Sequence, residues 1–182
     1  MESQFFGNLP RIILTKIFFR LWDLYVSQMG MDKELYTRWD DKKNLITTRL
    51  SGLITETEVK QWKEELEKTF TKLPQGTKFK IFVNLHGFSP ASMSAHKMYR
   101  EIIPLLLSKY NWRIGYLDLF DEAKDLKLTS ENGMECLAAV HCHHDSYKIN
   151  EYEKKFGKDS EHFWDDPEKS AAWIESYSIS AN

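Results

Sequence analysis

Two apolar stretches decide the fold of this chain: Phe79–Leu85 (FKIFVNL) and Glu135–Cys142 (ECLAAVHC). Each is a short hydrophobic run bounded by turn-forming residues, a pattern typical of a strand buried on both faces of a sheet. Helical patterns precede, separate and follow these two runs. Strands joined through helices predict an α/β fold with a single, mostly parallel sheet, right-handed crossovers and helices packed on the sheet.

The segment before Phe79 predicts a hairpin followed by a helix. Glu34–Trp39 and Asn44–Ser51 are rich in Tyr, Thr, Ile and Leu, and the polar residues between them indicate a tight turn, which makes the predicted sheet mixed. Thr55-Glu56-Thr57-Glu58 forms a capping box. The helix that follows has an apolar face that includes Val59, Trp62 and Leu66, and Pro74-Gln75-Gly76 is predicted to end it.

The segment after Leu85 alternates helices with shorter strands. Ser89-Pro90 predicts a helix start with proline at the first position, and Pro104 predicts a kink or an end of that helix. Trp112–Phe120 (WRIGYLDLF) is predicted to be a strand, and Asp121–Leu128 a short helix or a lid-like crossing. Capping residues and patterning mark three last elements: a helix after Asp145 that Gly157 closes, a strand at His162–Trp164 and a helix at Asp166-Pro167.

Composition narrows the function classes. The chain has 182 residues, enough for one domain or a domain with an appendage, and a net charge of -2. Balanced charge argues against a nucleic-acid partner, which needs a concentrated basic face. Cys136 and Cys142 lie on one predicted strand about 20 Å apart, too far for a disulfide. Free buried thiols predict a cytoplasmic protein.

Residues 1–30 are predicted to be an amphipathic helical extension of a domain that spans residues 31–182. Pro10–Met29 is apolar, but Arg11, Lys16, Arg20 and Asp23 interrupt any run long enough to cross a bilayer. Three interpretations stay open: a helix that docks on the domain or on a second subunit of a homodimer, a helix on a membrane surface, and an extension before a start at Met31.

Three stretches carry a family resemblance: NLITTRLSGLITETEVKQW (44–62), FKIFVNLHGF (79–88) and FWDDPEKSAAWI (163–174). Together they resemble the SpoIIAA-like branch of the STAS superfamily, over about Leu35 to Ile174. The fold of that branch is similar to bacterial anti-sigma-factor antagonists and to CRAL-TRIO lipid carriers. The resemblance implies a non-enzymatic regulatory module without a cofactor, which binds a small lipophilic ligand or a protein partner.

One departure from that pattern concerns phosphorylation. Antagonists of the phosphorylated kind carry an Asp-Ser-Ser-Gly-like turn after the central strand, whereas this chain has Ser89-Pro90-Ala91-Ser92-Met93-Ser94. A phosphoswitch at Ser92 or Ser94 is an alternative function, because a helix N-terminus favours an added anion. The other interpretation is that these serines cap the helix.

The histidine-rich stretch His141-Cys142-His143-His144-Asp145 offers a metal-site alternative. His141 and His143 should point to the same side of a strand, about 6.5–7 Å apart, a spacing at which two imidazoles can share a metal ion. His144 is a further candidate ligand. Other donors could come from Glu161, His162, His86 or Asp145, and the product would be a metal-binding protein or a metal-dependent hydrolase. Pocket lining without a metal, and plain surface or capping roles, remain open.

The predicted ligand site lies where the two central strands end. Parallel strands bring their carboxyl ends to one edge of the sheet, where α/β proteins bind ligands. The predicted site residues share that edge or flank it with aromatic side chains: Asn84, His86, Tyr99, Tyr116, His141 and His143. Cys142 should face away from the neighbouring histidines, so no nucleophile stands beside a base and we assign no catalytic residue. The aromatic residues could equally be ordinary core.

Overall fold

The order of strands and helices comes from a computed structural model that describes residues 33–119 and 126–179. The described strands are β1 Glu34–Asp40, β2 Leu45–Ile54, β3 Lys78–Leu85, β4 Phe88–Pro90, β5 Glu135–His143 and β6 Glu161–Trp164. The described α-helices are α1 Glu56–Phe70, α2 Met93–Ser108, α3 Ser146–Phe156 and α4 Pro167–Ser176. Short 3₁₀ turns lie at Gly115–Leu119 and Glu131–Gly133.

The described strands form one mixed sheet of six strands, in the order β1-β2-β3-β5-β6. β1 runs antiparallel to β2, and every later pair is parallel. The short β4 pairs with the far end of β2. The prediction of an α/β fold with a single mixed, mostly parallel sheet flanked by helices is therefore confirmed.

Local signals place the first elements as predicted. The carboxylate of Asp40 accepts hydrogen bonds from the amides of Lys42 and Lys43, at 3.0 and 3.2 Å, and closes the turn of the hairpin. Thr55 forms the predicted capping box with Glu58 at the start of α1. These short-range bonds fix where β2 begins and where the chain leaves it.

The two faces of the sheet are covered differently. The connecting helices α1, α2 and α3 pack on one face, which we call the first face, in a core that includes Trp62, Phe79 and Leu107. Of the described helices, α4 packs on the second face, around Phe82, Val140 and Ile174. Right-handed crossovers that always step in the same direction put their helices on one side of a sheet, which accounts for this division.

A buried lysine holds α4 against the second face. Lys80 is 3% exposed, and its ammonium donates to the backbone carbonyls of Glu175 and Tyr177 at 3.0 and 2.7 Å. Burial lowers the pKa of this ammonium. The last carbonyls of a helix lack intrahelical partners, so Lys80 caps α4 from the centre of the sheet.

The predicted helix start at Ser89-Pro90 is wrong. Phe88–Pro90 is strand β4, and α2 begins only at Met93, with Ser92 as its N-cap. The reason is that β2 extends beyond its last pairing with β3, at Arg49, so the backbone of Gly52–Ile54 needs another partner. β4 supplies it, and Pro90 is tolerated because it ends the strand.

For Pro104, the alternative that the helix ends there is wrong, while the alternative of a kink stays a prediction. α2 continues through Pro104 to Ser108, and buried residues on both sides of the proline hold the helix on the core. The strand predicted at Trp112–Phe120 is wrong over its described residues: residues 112–114 are irregular and Gly115–Leu119 is a 3₁₀ turn. The position beside β5 is occupied by β6 instead.

Several predictions lie outside the described residues. They concern the extension of residues 1–30, with its membrane or subunit contacts, and residues 121–125 of the predicted helix, whereas Leu126–Leu128 are irregular. In the described part of the chain, no helix is both long enough and apolar enough to cross a membrane. Cys136 and Cys142 are free and buried, as predicted.

Candidate functional site

A pocket opens on the first face of the sheet, at the carboxyl ends of β3 and β5. Its volume is about 140 Å³. The apolar walls come from α1, α2, α3, β3 and β6, and are formed by Trp62, Val83, Leu85, Ile103, Ile149 and Phe163. Polar side chains stand among these walls, so the pocket combines a hydrophobic body with a few groups that can orient a ligand.

Four of the predicted site residues line this pocket: Tyr99, Tyr116, His141 and His143. The prediction that the two central strands end side by side is confirmed, since β3 pairs with β5 up to Leu85 and His143. Alternation along β5 then turns both histidines to the first face, as expected from a period of two. Tyr99 comes from α2 and Tyr116 from the 3₁₀ turn.

Asn84 and His86 are not among the residues that line the pocket, which corrects the predicted convergence. Asn84 lies opposite Cys142, and these two residues face the second side of the sheet. The Asn84 carboxamide oxygen accepts from the His86 amide at 3.1 Å and shapes the turn after β3. The His86 ring stands beside His144, at 6.3 Å between ring centroids.

Some of the chain's aromatic side chains line the pocket, and others belong to the hydrophobic core. Trp62 lines the pocket together with Tyr99 and Tyr116, whereas Phe79 and Trp112 belong to the core of the first face. Phe82 and Trp173 pack on the second face with α4. Phe120 lies outside the described residues.

A fully buried carboxylate supports the pocket floor. Glu161 is 0% exposed and lies within 3.2 Å of His141 Nε2. It also accepts from the Trp112 indole at 3.4 Å and from the Gly115 amide at 3.1 Å, and it pairs with the Lys158 ammonium at 3.4 Å. A charged group at this depth is stable only because several donors surround it.

The role of Glu161 was missed at the level of sequence, where it appeared only as a candidate metal ligand. One signal could have revealed it: in the strand EHFW (161–164), Glu161 occupies the same face as the buried Phe163. A carboxylate at an inward strand position requires partners. His141 therefore has a fixed ring orientation, stacked on Phe163 at 4.9 Å between centroids.

The two histidines at the pocket mouth, His143 and His96, have lowered pKa values. Burial, followed by the neighbouring His144 and Lys148, lowers the pKa of His143 to about 4, so this imidazole is neutral near pH 7. Its Nδ1 accepts from the Asp145 amide at 3.0 Å, which leaves the proton on Nε2. Burial, Lys148 and Arg100 also lower the pKa of His96.

The pocket tyrosines stay protonated across the neutral range. Burial raises the pKa of Tyr99 and of Tyr152, and raises that of Tyr116 further because Glu161 lies near it. Tyr116 stacks on Tyr152 at 5.3 Å and meets the edge of His141 at 5.9 Å between centroids. These rings act as hydrogen-bonding walls and carry no charge.

The structure gives no support to the metal-site alternative. In residues 33–119 and 126–179, no three His, Cys, Asp or Glu side chains are arranged to hold a metal ion. The nitrogens of the cluster have other partners. His141 Nε2 faces Glu161, His143 Nδ1 accepts from Asp145, and His144 Nδ1 accepts from the Gly87 amide at 3.3 Å. His162 is turned to the second face, where it stacks on Trp164.

Ser92 and Ser94 are both exposed, outside the pocket. Ser92 caps α2 by accepting from the Ala95 amide at 3.0 Å, and its hydroxyl lies 3.5 Å from the Glu56 carboxylate. A phosphate on Ser92 would meet that carboxylate, whereas Ser94 is the second residue of α2. Phosphorylation at either serine stays a prediction.

Comparison of the chain with known proteins identified no relative. No protein-family model, curated protein or solved structure matches the chain. The function must therefore be argued from the pocket and its residues.

Proposed function

We propose that this chain is a non-enzymatic binding module of the SpoIIAA-like STAS type, which takes a small lipophilic molecule in the pocket beside His141. One observation carries the proposal: an apolar-walled cavity of about 140 Å³ lies at the carboxyl ends of the central strands. That is the edge at which α/β sheets present their ligand sites.

The volume sets the size of the ligand. An apolar protein cavity of about 150 Å³ is large enough for benzene, so one ring or a short branched chain matches this pocket. A long acyl chain would have to extend through the mouth. A ligand of about seven non-hydrogen atoms gains on the order of 5 kcal/mol, which corresponds to a Kd on the order of 0.1–1 mM.

The side chains favour binding over chemistry. His141 lines the pocket and has a buried carboxylate partner, and such a pair often activates a nucleophile. None of the described lining residues is a serine or a threonine, and the side chain of Cys142 packs with Ile174 on the second face. Among the described lining residues, His141 therefore has no serine or threonine hydroxyl and no thiol to activate, and the hydroxyls of the pocket tyrosines have raised pKa values. The role of His141 in this proposal is to orient a bound molecule.

The resemblance to the STAS superfamily supports a regulatory use of this binding. In the described residues the hairpin, the alternating helices and strands and the closing helix occur in the order on which that resemblance rests. The resemblance also allows a protein partner instead of a small molecule. We favour the small molecule because the pocket is concave and its walls come from separate elements.

Ligand-observed NMR on the full chain tests the proposal, with toluene, indole and cyclohexanol as probes. A matched pair of variants locates the binding. Ile103→Phe places a larger side chain in the pocket, whereas Ile102→Phe makes the same change one residue earlier, where the side chain faces the groove between α1 and α2. Leu85→Phe, at a half-buried position of the pocket, serves as a second blocking variant.

The expected result is binding of at least one probe, lost in Ile103→Phe and Leu85→Phe and retained in Ile102→Phe. Circular dichroism confirms that each variant is folded. Failure of all three probes to bind at millimolar concentration would contradict the proposal. So would a bound probe that neither blocking variant displaces.

A further inference from the structure

We propose that the pocket selects neutral ligands that carry a hydrogen-bond donor, namely small phenols and cyclic alcohols, and that His141 Nδ1 accepts this hydrogen bond. The ring of the ligand lies against the apolar walls, and its hydroxyl points at the histidine. This inference rests on the proposed function and adds the chemical class of the ligand and the atom that recognises it.

Three contacts fix the orientation of the His141 ring. Its Nε2 lies 3.2 Å from the Glu161 carboxylate. One face of the imidazole stacks on Phe163, with 4.9 Å between the ring centroids and an angle of 11° between the rings. Tyr116 meets the imidazole edge-on at 5.9 Å between centroids. An imidazole held in this way cannot turn freely, so its second nitrogen has a set direction before a ligand arrives.

The surroundings of Glu161 assign the proton of the neutral His141 ring to Nε2. The carboxylate is 0% exposed, it accepts from the Trp112 indole and the Gly115 amide, and the Lys158 ammonium pairs with it at 3.4 Å. An ionised carboxylate accepts hydrogen bonds and donates none. In a neutral imidazole one nitrogen donates and the other accepts, so Nε2 donates to Glu161 and Nδ1 keeps its lone pair.

The lone pair on His141 Nδ1 is available to a ligand. This nitrogen has no hydrogen-bond partner among residues 33–119 and 126–179. It is nevertheless accessible, since it is not one of the fully buried polar atoms that lack a partner. At His143 the equivalent atom is already used, because it accepts from the Asp145 amide at 3.0 Å. His141 is 7% exposed and lines the pocket, so a ligand there is placed to supply the missing donor.

The choice of a hydroxyl follows from what His141 Nδ1 requires. Carboxylates, ethers and ketones have no proton to donate at neutral pH, so they would leave this nitrogen unpaired. A hydroxyl donates one hydrogen bond and adds a single non-hydrogen atom to a ring. A benzene ring matches a cavity of about 140 Å³, and a ring with one hydroxyl is only slightly larger.

Two matched pairs of probes separate hydrogen-bond donation from size. Phenol and toluene have the same number of non-hydrogen atoms, but only phenol donates. Anisole and ethylbenzene also match each other, and the ether oxygen of anisole accepts without donating. Affinities for the full chain are measured by ligand-observed NMR at pH 7. Phenol is expected to bind about three- to tenfold more tightly than toluene, although water solvates phenol better, and anisole no more tightly than ethylbenzene.

A variant of His141 tests the assigned atom. His141→Gln removes the acceptor and keeps a donor, because the glutamine N–H group can still reach Glu161. We expect this variant to lose the preference for phenol and to keep its affinity for toluene within about twofold. His86→Gln makes the same change at a histidine that does not line the pocket, so it is the matched control and should keep the preference. Circular dichroism confirms that both variants are folded.

Nitrogen-15 NMR of the chain labelled at histidine gives a readout that needs no variant. The lone-pair nitrogen of a neutral imidazole resonates far downfield and moves upfield when it accepts a hydrogen bond. The Nδ1 resonance of His141 should therefore move upfield when phenol binds and stay in place when toluene binds. Absence of that movement with bound phenol would overturn the assignment to His141.

The outcomes separate this inference from the proposed function. If toluene binds and Ile103→Phe blocks it, but phenol binds no more tightly than toluene, the pocket is a binding site and the selectivity for a donor is overturned. If the preference for phenol survives in a folded His141→Gln variant, another group accepts the hydroxyl and the inference is overturned. If none of the four probes binds, and neither do indole and cyclohexanol, both proposals fall.

Discussion

Replacing Glu161 by alanine removes the acceptor on which the floor of the pocket depends. The Trp112 indole and the His141 imidazole are 8% and 7% exposed, so water cannot easily replace the lost oxygen atoms. Each buried donor left without a partner costs about 1–3 kcal/mol, and the half-buried Gly115 amide adds about 1 kcal/mol. Lys158 is half exposed and regains water. The expected loss is therefore about 3–7 kcal/mol of unfolding free energy.

Glu161→Gln is the milder variant, because its amide keeps one carbonyl oxygen while it loses the charge and points an N–H group at the donors. We expect it to cost about 2 kcal/mol. Urea unfolding, followed by tryptophan fluorescence, measures both values. Glu64→Gln, at an exposed position on α1, is the control and should change the free energy by less than about 0.5 kcal/mol. A loss below about 1 kcal/mol in Glu161→Ala would refute the role of this carboxylate.

Three further predictions concern other buried groups. The pKa of His143 lies at about 4 in the folded chain and near 6.5 when unfolded, so stability falls as pH drops from 6.5 to 4. His143→Asn should remove that part of the pH dependence, which solvent contact limits to about 1–2 kcal/mol, as urea unfolding at several pH values would show. Lys80→Met should cost about 1–3 kcal/mol and loosen α4, seen as lost near-ultraviolet circular dichroism, whereas Lys72→Met at an exposed position should be neutral. Burial raises the pKa of Cys136 and raises that of Cys142 to about 11, so neither thiol should react with iodoacetamide at pH 8 until urea unfolds the chain; rapid labelling of the folded chain would contradict this.

Short-range sequence patterns were sufficient to predict most of the strands and helices. The apolar runs at Phe79–Leu85 and Glu135–Cys142 became the two central strands, because a strand buried on both faces needs little else to be recognised. Helix starts with a side-chain cap at Thr55, Asp145 and Asp166 were also predictable, since each cap is a bond between near neighbours.

The elements that were predicted wrongly depend on contacts with residues that are far away in the sequence. Trp112 and Ile114 alternate as in a strand, yet the Gly115 amide bonds Glu161 and the backbone passes close to Phe156. A Cβ added at Gly115 would stand 2.6 Å from the Phe156 Cβ, so this glycine permits the crossing. Likewise, nothing near Ser89 reveals that β2 has an unpaired end.

The sequence predicted those site residues whose position follows from the alternation of side chains along a single strand. His141 and His143 share a face because they are two residues apart, and they reached the pocket as expected. Asn84 did not, because which face it occupies depends on the register between β3 and β5, and a shift of one residue reverses every side chain. The Glu161 partner of His141 depends equally on the pairing of β5 with β6.

The position of α4 has a consequence for synthesis of the chain. Among the described helices it follows every strand, yet it covers the apolar second-face residues Phe82 and Val140, which are made much earlier. A nascent chain that has emerged from the ribosome as far as Trp164 can pair all its described strands before α4 covers these residues. Such an intermediate lacks the cover that α4 gives to this hydrophobic surface, which can contact chaperones or other nascent chains until the last helix emerges.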